Sequence, residues 1–203
     1  MTTLYEPDIN RVELIGCIYQ APSFSYTFHD RPIYEGMMCV ERNSGVADYI
    51  PIVGEKHILA HLQAGERISA IGRILTRGKV NFPDARHRLS AHISEFIYAT
   101  PEQLDSNKVY LSGHVCRAPY ARVTTKTHRD ICEITLAIQR GTGEQDYCTC
   151  IAWNKLARVA ALFDEGDAIT LTGRFQSRDY TKVLGDGSHV RKMAHEISVT
   201  SFD

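Results

Sequence analysis

Apolar and polar positions alternate with a period of two along much of this 203-residue chain, the pattern of half-buried strands. The plainest case is DYCTCIAW, Asp146 to Trp153, where Tyr147, Thr149 and Ile151 alternate with Cys148, Cys150 and Ala152. The period then changes. In NKLARVAALF, Leu156, Val159, Ala160 and Phe163 recur at i, i+3, i+4 and i+7, which predicts one apolar stripe of a short helix. A diluted copy, DYIPIVGEKHILAHL, runs from Asp48 to Leu62 and predicts a shorter helix over His57–Gln63. The only tryptophan, Trp153, stands at the strand-to-helix hinge, and Glu55 occupies the matching place upstream.

The copy is part of a longer repeat. NRVELIGCIYQAP (Asn10–Pro22) returns as NKVYLSGHVCRAP (Asn107–Pro119) at an offset of 97. Gly16 and Gly113 inside this pattern predict a bulge or sharp bend. The segments from Ile33 (IYEGMMCVERNSG) and Asp130 (DICEITLAIQRGTG) each end in a glycine-containing turn and read as strands entering a hairpin. After each helix come ISAIGRILTR from Ile68 and AITLTGRFQSR from Ala168, sharing a Gly-Arg pair and a final arginine. The last strands start at Leu89 and Met193.

Each repeat thus predicts strand, strand, strand, helix, strand, strand. The expected domains are residues 1–100 and 107–203, joined by a polar linker at 101–106. An all-β chain with one short helix per domain, the helix falling between the third and fourth of five strands, is the order of an OB-fold barrel. The expected architecture is therefore two tandem OB-fold five-stranded barrels.

Composition adds bounds. Hydrophobic residues make up 43% of the chain, enough for a core, and no apolar run approaches the ~20 residues of a membrane span. The N-terminal stretch MTTLYEPDINRVELIG lacks a basic region followed by an apolar one, so no secretory signal is expected. The six cysteines form no CxxC pair; they are expected in the core of a protein in a reducing compartment, not as zinc ligands. Net charge is −1, divided as −3 over residues 1–106 and +2 over 107–203. Any polyanion site must therefore come from local clustering. The GTG (141–143) and GDG (185–187) pieces are hairpin turns rather than phosphate loops, because no helix with the required Lys-Ser/Thr follows. No GxSxG, HExxH or supported carboxylate pair suggests an enzyme. No cofactor or metal is implied; His92 and His195, at like positions in the last strands, are expected to be structural.

The second repeat resembles the bacterial single-stranded DNA-binding proteins over nearly its whole length. The pieces that carry the resemblance are NKVYLSGHVCRAP, ITLAIQR, DYCTCIAWNKLARVA and GDAITLTGRFQSRDY, in that order and spacing. The first repeat resembles the same family more weakly. A chain with two such domains is similar to the tandem-OB members, so the resemblance implies a homodimer with four OB domains and a bacterial cytoplasmic, nucleoid-associated location. It also implies single-stranded DNA as partner, held by aromatic stacking and basic phosphate contacts without strong sequence preference, in replication, recombination or repair. Family members commonly end in an acidic tail that recruits replication and repair proteins. This sequence closes on SVTSFD without that tail, so the resemblance does not carry recruitment over, and replication or repair proteins stay open as partners.

Three aromatics match positions that stack on bases in the family: Tyr147, Trp153 and Tyr180. Tyr49 matches Tyr147 in the first repeat. The expected phosphate track is Arg122, Lys126, Arg129, Arg140, Lys155, Arg174, Arg178 and Lys182, with Arg73, Arg77 and Lys79 in the first domain, where Arg86 and Arg88 follow. Glu55 in place of Trp153 and Lys79 in place of Tyr180 mark the first domain as the poorer stacking surface. It is expected either to follow the DNA backbone electrostatically or to serve dimerisation and spacing. Two other readings stay open at this point: an OB-fold adaptor for replisome or primosome proteins, and an OB module for RNA or oligosaccharide, since the fold alone does not choose a ligand.

Overall fold

The computed structural model describes residues 8–77, 89–125, 127–185 and 187–203, and of Lys182 and Val183 the backbone alone. The first half contains β1 (Asn10–Phe28), β2 (Arg31–Glu41), β3 (Ala47–Glu55), α1 (Lys56–Leu59), β4 (Arg67–Thr76) and β5 (Leu89–Tyr98). The second contains β6 (Ser106–Val115), β7 (Tyr120–Val123), β8 (Asp130–Gln139), β9 (Gln145–Trp153), α2 (Lys155–Ala160), β10 (Ala168–Val183) and β11 (His189–Phe202). In the second half β6 and β7 do together what β1 does alone, because the Cys116–Pro119 segment interrupts the strand.

Each half closes on itself. β1 pairs with both β2 and β4, β2 with β3, β4 with β5, and β3 with β5 in parallel. The second half repeats the circuit through β6–β8, β8–β9, β9–β11, β11–β10 and β10–β6. The result is two tandem OB-fold barrels, each with its helix between the third and fourth strands of the circuit. Closure explains the repeated glycine. A Cβ on Gly113 would run into the carbonyl oxygen of Ala137, and one on Gly16 into that of Cys39; only glycine allows the strands to approach at this corner.

The alternation read in DYCTCIAW is borne out: Cys148, Cys150 and Ala152 are fully buried while Tyr147 is 52% exposed. The helical stripe shifts. Ala157 and Ala160 are the buried helix residues and Val159 faces solvent. The helix stops at Ala160, so Phe163 reaches the core from the following turn and packs on Phe202 with ring centroids 5.2 Å apart. In the first half the helix spans Lys56–Leu59, earlier and shorter than the expected His57–Gln63.

The barrels are fused. β1 and β6 pair antiparallel from Asn10↔Leu111 to Ile15↔Ser106, giving one 11-stranded sheet. The asparagine that opens each repeat has a matching task. Asn10 donates to the Ile74 carbonyl (2.9 Å) and accepts from its N–H (2.8 Å). Asn107 does the same to Phe175 at 2.8 and 2.9 Å. The aspartate of each Asp-Tyr pair binds across the junction. Arg73 of the first half reaches both oxygens of Asp146 at 2.8 Å, beside Arg140. Asp48 pairs with Arg42 and accepts from the Ser177 N–H at 2.9 Å. Burial pushes the Asp146 pKa up, but Arg140 and Arg73 outweigh it and hold the carboxyl below the usual carboxylate range.

His92 lies opposite Arg73 on β5. Burial first, and Arg73 second, push its imidazole pKa down to about 4. The folded chain keeps this ring neutral where the unfolded chain protonates it. Stability is therefore full above pH ~6.5 and falls as the pH drops toward 4, by about 3 kcal/mol at most. His92→Gln should flatten that stretch of a urea-stability profile. An unchanged slope between pH 6.5 and 4 would show that this histidine does not set it.

Candidate nucleic-acid interface

Register defines the outer face of the second barrel. Because Cys148, Cys150 and Ala152 point inward, Tyr147, Thr149, Ile151 and Trp153 line the outside of β9. Opposite them on β8 stand Ala137, Thr135, Glu133 and Ile131, and opposite the last two on β7 stand Tyr120 and Arg122. On the other side of β9 the parallel pairing Ser198↔Ile151 continues the surface onto β11 and β10. There Arg174, Gln176, Arg178 and Tyr180 lie opposite Ser198, Glu196, Ala194 and Lys192. The three aromatics singled out in the second repeat thus share one face.

Trp153 is half-buried, while Tyr147 is 52% and Tyr180 38% exposed. Asn154, held at φ 53° and ψ −117°, turns the chain into α2 directly after Trp153. Tyr147 donates from its hydroxyl to Gln145 at 2.9 Å, leaving the ring free.

The expected cations divide sharply. Arg122, Arg129 and Lys155 are exposed and have no ion pair among the described residues. Arg178 is exposed and only loosely paired with Glu196 at 3.3 Å. Arg174 is half-buried and donates to Gln176 at 2.7 Å; burial, then Arg42 beside it, lower its pKa. Arg140 is committed to Glu144 and Asp146, and Arg73 to Asp146. These two arginines stabilise the junction, a correction to their expected place on a phosphate track. Lys79, Arg86, Arg88, Lys126 and the side chain of Lys182 lie outside the described residues.

The first barrel presents a different face. Arg77, at the position of Arg178, is 2% exposed. It pairs with Glu35, donates to Ser90 (2.9 Å) and to the Tyr26 hydroxyl (3.0 Å), and lies 5.5 Å from the centre of that ring. A guanidinium buried this way does not reach solvent phosphate, so Arg77 too is corrected from groove cation to structural charge. Pro51 and Val53 are buried where Thr149 and Ile151 are half open. Glu55 is paired with Arg31 at 2.8 Å. Tyr49 packs edge-on against Tyr19 with centroids 4.7 Å apart. The second barrel covers its backbone: the Tyr49 N–H donates to Ser177 Oγ (2.9 Å), and His195 Nε2 lies 3.0 Å from the Tyr49 carbonyl oxygen. His195 is thus structural, as expected.

A cleft of about 270 Å³ lies where the base of β4 and β5 comes over the second barrel, lined by Thr76, Leu89, Thr149, Ile151, Glu133 and Glu196 among others. Its two carboxylates are offset by Arg117 (2.7 Å from Glu133) and Arg178. Two exposed aromatics, Tyr19 and Tyr120, stand on or beside these faces and were not singled out from the sequence. Tyr19 lies inside the first repeat motif and Tyr120 directly follows the second, but only strand register reveals which face each joins.

The Single-strand binding protein family matches residues 106–203. Single-stranded DNA-binding protein 1 of Clostridium acetobutylicum is 28% identical over 97 residues, covering 44% of this chain and 88% of that protein. The single-stranded DNA-binding protein of Lactiplantibacillus plantarum is 30% identical over 103 residues, 47% of this chain and 49% of that protein. Among solved structures, the wild-type single-stranded DNA binding protein from Thermus aquaticus superposes with a TM-score of 0.70 at 18% identity, covering 98% of this chain and 93% of that one. That likeness extends the shared fold to both barrels.

The contrast between the matched arginines can be measured. Arg77→Ala leaves the buried Glu35 carboxylate without its guanidinium and should cost about 3–5 kcal/mol. Arg178→Ala removes an exposed, loosely paired charge and should cost under about 1 kcal/mol. Urea midpoints of the two variants test this, and similar losses would contradict the burial contrast.

Proposed function

The second half of this chain, residues 106–203, belongs to the single-strand binding protein family, and from that membership we propose that the protein binds single-stranded DNA. The observation that carries the reading is the shared outer face of Tyr147, Trp153 and Tyr180, with Arg122, Arg178 and Lys155 around it. Flat aromatic faces accept any base, and each stacked base is worth about 1–3 kcal/mol. Exposed arginines and a lysine supply the phosphate attraction. The protein would coat exposed strand without strong sequence preference, protecting it in replication, recombination or repair.

The chain works as two tandem units, residues 1–100 and 107–203 with a linker at 101–106. The second carries most of the stacking. Three features of the first support a mainly structural role: buried Arg77, ion-paired Glu55, and Tyr49 covered along its backbone by β10 and β11. Tyr49 is then the weaker contact of the four aromatics. Two chains associate into a four-barrel homodimer in the bacterial cytoplasm.

Trp153 is the only tryptophan, so its fluorescence reports this face directly. Oligo-dT should quench it strongly and duplex DNA weakly, and added salt should weaken the dT complex through counterion release. Absence of dT binding even at low salt refutes the function. In anisotropy with a labelled oligonucleotide, Trp153→Ala and Tyr180→Ala should each weaken binding more than Tyr49→Ala; equal losses would refute the asymmetry. Light scattering at twice the chain mass checks the homodimer.

A further inference from the structure

We infer that Tyr120, on the edge strand β7, is an additional base-stacking residue that carries the bound strand across the barrel face beyond Trp153. The inference rests on the single-stranded DNA reading and extends its site.

Tyr120 is 62% exposed, more than Tyr147 or Tyr180. Among the described residues its side chain makes no hydrogen bond or ring contact. All four residues of β7 are exposed, and the strand lies at the end of the sheet order. Yet the register is definite. Tyr120 stands opposite Glu133, which stands opposite Ile151. Residues directly opposite share a face, so the ring lies on the surface that carries Tyr147 and Trp153. Strand spacing and rise put its Cα about 12 Å from that of Trp153, two strands over and two residues along.

The surroundings suit a nucleobase with its phosphate alongside. Arg122, exposed, completes the next row, Arg122–Ile131–Trp153, so a cation stands beside Tyr120 on the edge strand in the row of Trp153. Glu133, opposite Tyr120, is paired with Arg117 at 2.7 Å, and Arg117 also donates to Thr135 at 3.2 Å. The first barrel has Ser23 at the matching place, opposite Glu35, so the extra ring belongs to the barrel with the open face. A strand of DNA that contacts Tyr120 crosses β9, β8 and β7 toward the sheet edge instead of ending at Trp153.

The test is oligo-dT binding by the full chain, read by anisotropy of a labelled oligonucleotide and by Trp153 quenching. Tyr120→Ala should weaken binding about 5- to 100-fold, the range of one lost stacking contact, while Trp153 is still quenched at saturation. Tyr120→Phe keeps the ring and should stay within about twofold of the parent. Tyr120→Thr removes the ring but favours a strand, and should match the alanine variant if stacking alone is lost. The salt slope should be unchanged in these variants and shallower in Arg122→Ala. Parent-like affinity in both the alanine and threonine variants overturns the role of Tyr120 and leaves the function standing. A parent protein that fails to bind dT overturns both. Loss in the phenylalanine variant equal to that in alanine overturns stacking in favour of a hydroxyl contact.

Discussion

Two buried carboxylates, Asp48 and Asp146, hold the arrangement on which everything else depends. Each begins the third strand of its barrel, is shielded from water, and therefore must be paired. Each takes an arginine from its own hairpin, Arg42 or Arg140, and then a partner from the other barrel. Asp146 takes the Arg73 guanidinium and the Asn10 amide; Asp48 takes the Ser177 backbone N–H. A buried charge that lost such partners would be costly, so the two halves are bound by an electrostatic requirement as well as by the β1–β6 ladder.

That reciprocal reach has unequal results. Over the first barrel, β10 and β11 cover the backbone of Tyr49, while Arg77 folds onto Glu35, Tyr26 and Ser90. Over the second barrel, β4 and β5 come in at the cleft beside Thr149 and Ile151 and leave Tyr147, Trp153 and Tyr180 accessible. One framework thus supports a closed face and an open one. Among the differences that separate them are Glu55 against Trp153, Ser23 against Tyr120, Pro51 and Val53 against Thr149 and Ile151, and an arginine that is buried as Arg77 but exposed as Arg178.

The frame was legible in the sequence because it is local. Alternation in DYCTCIAW, the offset of 97 and the matched glycines are short-range patterns that follow from barrel geometry. The charges were not legible. Arg73 and Asp146 are 73 positions apart in different repeats, so no spacing rule announces their pairing. Arg77 and Arg178 close the same GR-containing motif, and only the neighbouring strands decide that one is sealed in and the other is not. The helix stripe failed more modestly. Val159 has the right period, but a helix that ends at Ala160 buries Ala157 instead and leaves Phe163 to the turn. Tyr120 escaped notice because its strand is only four residues long and wholly exposed, with no alternation to read.

The junction also shapes the chemistry of the open face. Arg73, Arg77 and Arg140 are spent on internal carboxylates, and Arg174 is partly withdrawn. Among the described residues of the expected track, Arg122, Arg129 and Lys155 are exposed without an ion pair and Arg178 is exposed and loosely paired, on a chain whose net charge is −1. Glu133 and Glu196 lie on the same surface, each paired with an arginine, Arg117 or Arg178. Rings that accept a base face add a contact that does not depend on phosphate neutralisation. Fusing two barrels through ion pairs therefore commits Arg73 and Arg140 to an internal carboxylate, while the outer aromatic face of the second barrel stays open.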